Sequence, residues 1–140
     1  MTIRASRVLA ILLITMAAHA APQPRALLGM GVSLYQGAGG ERFLHVENVT
    51  PKGPAAMAGV QPLDIITALN GKKIAFRNEV EFLTYVATLQ PGRPIQLQIR
   101  RAEKSLRAKL IPGELTPAQR EAWLQTFRVA ERNASRPSHP

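Results

Sequence analysis

The chain has 140 residues and a formal net charge of +9, from 18 Lys and Arg against 9 Asp and Glu. It has no cysteine, which excludes disulfides, a thiol nucleophile and cysteine-ligated zinc. His19, His45 and His139 show no metal-ligand spacing, and 5% aromatic residues give little support to stacking of exposed nucleic-acid bases.

Residues 1–20 read as a secretory signal. Arg4 and Arg7 form a basic start, and the apolar run over 8–18 is too short to span a bilayer comfortably. Ala18-His19-Ala20 fits the small-x-small cleavage rule and predicts a mature start at Ala21, in the periplasm or outside the cell. The rival expectation is an uncleaved anchor in the inner membrane. Removing Arg4 and Arg7 takes the charge from +9 to +7. With two prolines, residues 21–25 are expected to form an extended linker.

Gly29-Met30-Gly31-Val32 comes next. Two glycines let the chain curl so that successive backbone N–H groups, those of Met30, Gly31 and Val32, converge on one point and can receive a carboxylate. The bland alternative is a glycine-rich bend that binds nothing. Over 32–36 the residues alternate, with Val32 and Leu34 on one face and Ser33 and Tyr35 on the other. After the turn Gly37-Ala38-Gly39-Gly40, a strand is predicted over 42–49. Leu44, Val46 and Val49 are its core residues, and His45 faces solvent or a cross-strand neighbour.

Residues 50–72 alternate chain breakers with apolar residues in a fixed order. Pro51-Lys52-Gly53-Pro54-Ala55-Ala56 turns into a short helix, and Ala58-Gly59-Val60 ends it. Leu63-Asp64-Ile65-Ile66 leads into a strand, and Asn70-Gly71-Lys72 closes it as a tight hairpin turn. This order resembles the central block of bacterial PDZ domains, as found in HtrA-type proteases and type II secretion components. The resemblance implies an α+β fold: a PDZ-like, partly open β-barrel or sandwich of five to six strands with two helices, spanning residues 25–112. Where this chain has Leu63 the family usually has glycine, so Leu63 is strained if the position needs a positive φ.

A short strand is predicted over 72–75. Asn78 caps the helix that follows, and Glu79 and Glu81 suit its first turn. Phe82, Val86 and Leu89 fit burial beneath the sheet, whereas Glu79, Leu83 and Val80 fit a groove wall; alternatively all the apolar residues are core. A turn over 90–93 precedes two alternating strands, Ile95-Leu97-Ile99 and Leu106-Ala108-Leu110. Arg100, Arg101, Lys104, Arg107 and Lys109 give their hairpin a basic face. Thr116-Pro117-Ala118-Gln119 opens a further helix over 117–133, within a C-terminal segment of 114–133. Trp123, Phe127 and Ala130 share one face with Leu124 nearby, so this helix should dock on the domain or on a partner. Residues 134–140 are expected to be a disordered tail.

From the resemblance, Gly29, Met30, Gly31 and Val32 form the loop that binds a peptide's terminal carboxylate. The peptide groove is formed by Ser33, Leu34, Asn78, Glu79, Val80, Leu83 and Val86. An extended C-terminus adds as a strand beside 32–36. The histidine that prefers serine or threonine in the ligand is missing if Asn78 or Glu79 fills the first helix position. No Gly-x-Ser-x-Gly elbow and no His-Glu-x-x-His pair is present, so no catalytic residue, metal or cofactor is expected. The expected partner is a protein or peptide C-terminus, not nucleic acid, and the expected role is an adaptor or regulator in the cell envelope. The alternative is a structural or surface-binding component that meets an anionic membrane through the 100–109 hairpin, with its groove unused or filled by its own terminal helix.

Overall fold

Alternating apolar residues build the main sheet of this computed structural model, which describes residues 22–136. Leu44 and Val46 in β3 (Arg42–Val49), Ile66 and Ala68 in β4 (Ile65–Leu69), and Ile95, Leu97 and Ile99 in β6 (Ile95–Arg101) are all buried. With β2 (Met30–Gln36) and β7 (Lys104–Leu110) they form the antiparallel order β2-β3-β4-β6-β7. β5 (Lys72–Lys73) pairs with β4 through the Asn70-Gly71 turn. Both turn residues have positive φ, 49° and 78°, as a turn matched to strand twist requires. A second, two-stranded sheet joins β1 (Ala26–Leu27) to β8 (Gly113–Glu114).

Three helices cover this framework. α1 (Pro54–Met57) buries Ala55 and ends at Gly59, whose φ of 86° turns the chain so that Val60 returns to the core. α2 (Glu79–Thr88) starts at Asn78, whose Oδ1 accepts the Glu81 N–H at 3.0 Å. α3 (Pro117–Ala134) opens with a reciprocal capping box: Thr116 Oγ1 accepts the Gln119 N–H at 3.2 Å and Gln119 Oε1 accepts the Thr116 N–H at 2.9 Å.

The α+β architecture agrees with the sequence expectation, including the added C-terminal helix. Three details differ. Residues before β1 are not a free linker: Pro24 is fully buried, its carbonyl accepts Arg120 Nε at 3.2 Å, and the Arg25 carbonyl accepts the Leu115 N–H at 3.0 Å. These bonds tie the start of α3 to the strand that precedes the glycine loop. Arg101 does not join the solvated basic face. Its guanidinium grips the buried carboxylate of Asp64 (Nε to Oδ1 and Nη2 to Oδ2, both 2.8 Å) and also donates to the Gly59 carbonyl at 2.8 Å. The short strand expected over 72–75 ends at Lys73, and Ile74 turns into the core. Leu63 adopts φ 74°, so the glycine-like conformation is kept by a residue with a Cβ. Of the tail expected over 134–140, Ala134 instead ends α3 and Ser135 caps it, its N–H donating to the Glu131 carbonyl at 3.0 Å; the residues beyond 136 and the signal read over 1–20 lie outside the described residues.

Candidate functional site

β2 is the edge of the main sheet, paired with β3 on one side only. Which of its backbone groups face the open side follows from β3. The Val46 N–H donates to the Asp64 carbonyl at 2.9 Å, and the Val46 carbonyl accepts the Leu63 N–H at 2.8 Å. Val46 therefore turns both groups away from Val32, its partner in β2. The N–H and C=O of Val32 are left for the open edge. Leu34, two residues on, shares that direction by strand alternation. A register shift leaves Glu47 as an extra residue on β3, so the alternation of β2 itself is not interrupted.

The glycine loop at the start of β2 is braced from behind. Gly29 has φ 71°, and a Cβ there would sit 2.9 Å from Pro54 Cδ, so only glycine fits. The Gly29 carbonyl accepts the Thr50 N–H at 2.8 Å, and the Leu28 carbonyl accepts the Ala55 N–H at 3.0 Å. These bonds clamp the loop to α1. The Gly31 N–H donates to Asn48 Oδ1 at 3.1 Å. Of the three amides expected to converge, that of Gly31 thus faces β3, while strand parity puts those of Met30 and Val32 on the opposite side. Asn48 was not singled out from the sequence, because only the β2–β3 register brings a polar side chain to that amide.

Opposite this edge stands α2, and its two flanks differ. One flank carries Tyr85, whose ring lies 5.4 Å from that of Phe76. Burial raises the Tyr85 pKa, against a smaller opposing effect from its hydrogen bond with Asn70. That flank faces the β4–β5 hairpin. Leu83 lies about 200° around the helix at 100° per residue, on the flank away from that hairpin. Leu83 is 7% exposed and Val80 half-buried, and both belong to the apolar cluster that also holds Phe127, Ala130 and Trp123 of α3. α3 packs directly against α2.

The expected groove residues thus separate into groups. Leu83 belongs to the main apolar cluster, and Leu34 and Val80 pack against it. Val86, 6% exposed, lines with Phe82 and Leu89 a small apolar cavity that Leu28 and Met30 also line. Ser33 is turned to the other face of the sheet, where its hydroxyl bonds Glu47 and its neighbours are Tyr35 and His45. Asn78 and Glu79 are exposed at the N-terminal mouth of α2. On the 100–109 hairpin, Arg100, Lys104, Arg107 and Lys109 remain exposed. Among the described residues no cluster of His, Asp or Glu is arranged to hold a metal.

Known proteins share these features. The PDZ domain family matches residues 27–111. The serine endoprotease DegS of Salmonella typhimurium is 39% identical over 61 residues, covering 44% of this chain and 17% of DegS. The periplasmic pH-dependent serine endoprotease DegQ of Escherichia coli is 33% identical over 86 residues, covering 61% of this chain and 18% of DegQ. The chain therefore spans less than a fifth of the length of either relative. Among solved structures, the HtrA3 PDZ domain bound to the phage-derived ligand FGRWV superposes with a TM-score of 0.52 at 22% identity, over 64% of this chain and 86% of that one. The HtrA-type protease AlgW with a decapeptide superposes with a TM-score of 0.55 at 24% identity, over 66% of this chain and 30% of that one. With the family matched over more than half its length, and with the glycine loop, the open β2 edge and α2 in their places, the chain belongs to the PDZ domain family.

Proposed function

We propose that the chain is a peptide-binding module that takes up an extended C-terminal tail as an added strand along β2. The observation that carries this is the outward-facing N–H and C=O of Val32 beside the apolar flank of α2. Peptide backbone would pair with Val32 and Leu34, and the terminal carboxylate would accept the Met30 and Val32 amides. Gly29 and Gly31 give the loop its shape, and Asn48 holds it. Val80 and Leu83 would receive an apolar side chain of the ligand, with Asn78 and Glu79 at the mouth. Two solved structures of similar fold hold a decapeptide and a phage-derived peptide, which supports the same use here. No catalytic residue is assigned. The signal-like residues 1–20 and the periplasmic relative support a location in the cell envelope, where such a module would act as an adaptor or regulator.

The test is a library of free C-terminal peptides screened against the purified chain, with each hit repeated as its C-terminal amide. Affinities on the order of micromolar, about −8 kcal/mol, are expected. Loss of binding on amidation supports the carboxylate loop. Hits that survive amidation would remove it from the mechanism. An anionic membrane surface is the weaker alternative, since Arg101 is committed to Asp64 and leaves Arg100, Lys104, Arg107 and Lys109 exposed on the hairpin.

A further inference from the structure

We infer that α3 is a reversible cover for the peptide groove, held at one end and displaced by the ligand. This rests on the peptide-binding reading above and adds its regulation. The matched family segment ends at residue 111, and α3 begins at Pro117. It lies on the α2 flank that carries Val80 and Leu83, the flank a bound strand would need. Leu83 is 7% exposed, and Phe127 and Ala130 are buried in the same cluster.

The attachment is uneven along the helix. At its N-terminal end α3 has the capping box, the Leu115–Arg25 backbone bond and the Arg120–Pro24 bond. At its C-terminal end an open cleft of about 910 Å³ separates Arg128, Glu131 and Arg132 from Asn78 and Val80 of α2. Only Phe127 and Ala130 of its 18 residues are buried, and Val129 is 46% exposed. The docked state also buries Trp123 Nε1 without a hydrogen-bond partner, a desolvated donor that undocking would return to water. A helix anchored through 113–120 and carrying an unsatisfied donor further on can lift its C-terminal part off α2 beyond Arg120 while β8 and the main sheet stay paired. While it is docked, only the undocked fraction of molecules is competent to bind, so the apparent affinity falls by that fraction.

Trp123 is the chain's single tryptophan and sits in this contact, so its emission reports docking. The peptide library, restricted to members without tryptophan, would be screened against the parent chain and two variants, Phe127→Glu and Ala130→Glu. The second variant guards against one substitution misfolding the chain, and sheet content by circular dichroism confirms that each is folded. We expect Trp123 emission to move to the red in the variants, and in the parent when saturated with a free-carboxylate peptide. The variants should bind the same peptides roughly tenfold or more tighter. Equal affinity in parent and variants, with no change in parent emission on binding, would overturn the cover while leaving the peptide receptor intact. Weaker binding by folded variants would also overturn it, making α3 a wall of the site. Binding by no form would remove the receptor reading and the cover with it.

Discussion

Leu63 offers a direct test of how this chain holds its central turn. Its φ of 74° lies in the region that disfavours any residue with a Cβ, and its side chain is 75% exposed, so little packing offsets the strain. Left-handed backbone costs a Cβ-bearing residue about 1–2 kcal/mol, whereas glycine's extra freedom in the unfolded chain costs about 0.5–1 kcal/mol. Leu63→Ala and Leu63→Gly lose almost the same packing and differ only in the Cβ. The glycine variant should therefore be the more stable of the two by roughly 0.5–1 kcal/mol. Met57, 83% exposed at the end of α1, supplies the control. In that helical backbone Met57→Ala should exceed Met57→Gly by about 0.5–1 kcal/mol. Urea unfolding of the four variants at one pH measures both differences, and a thermal scan should separate each pair by about 2–5 °C. If Ala at 63 proves as stable as Gly, the strain assigned to Leu63 is not present and the turn is held in some other way.

Asp64 is 1% exposed and accepts the Arg101 guanidinium and the Gln61 N–H. Burial, the largest influence, raises its pKa, but the Arg101 bond, the Gln61 amide and the Arg101 charge together lower it below the usual value. A lowered folded-state pKa contributes stability that is present above the unfolded value near ~3.9 and is lost as pH falls through the folded one. Asp64→Asn should cost about 2–3 kcal/mol at pH 7 in urea, and the gap to the parent should narrow as pH falls below the unfolded value; a gap independent of pH would exclude the charge as its source. Gly29→Ala forces a Cβ to within 2.9 Å of Pro54 at positive φ, and should destabilise by about 2–4 kcal/mol by chemical unfolding. Thr116→Ala removes half of the capping box and should weaken the first turn of α3 by about 1 kcal/mol, seen as faster amide exchange at Gln119 with the sheet amides unchanged.

Much of this protein was legible in local sequence because the relevant physics is local. Asn70-Gly71 closes its hairpin because both residues tolerate positive φ, and Asn78 and Thr116 cap their helices because their side chains reach N–H groups three residues on. The alternation of Leu44 and Val46, and of Ile95, Leu97 and Ile99, assigned strands and core faces directly. Trp123, Phe127 and Ala130 marked the docking face of α3, but not the surface that receives it. Partners distant in sequence were decided only by the tertiary structure. Arg101 reads as one more charge on a basic hairpin until the β4–β6 pairing brings it to Asp64, 37 residues away. The amide of Gly31 is claimed by Asn48 through strand register, and α3 returns to pack against α2. Short-range backbone preferences specify turns, caps and periodicity, whereas which polar group meets which, and what fills a groove, depends on the packing of elements that no local window contains.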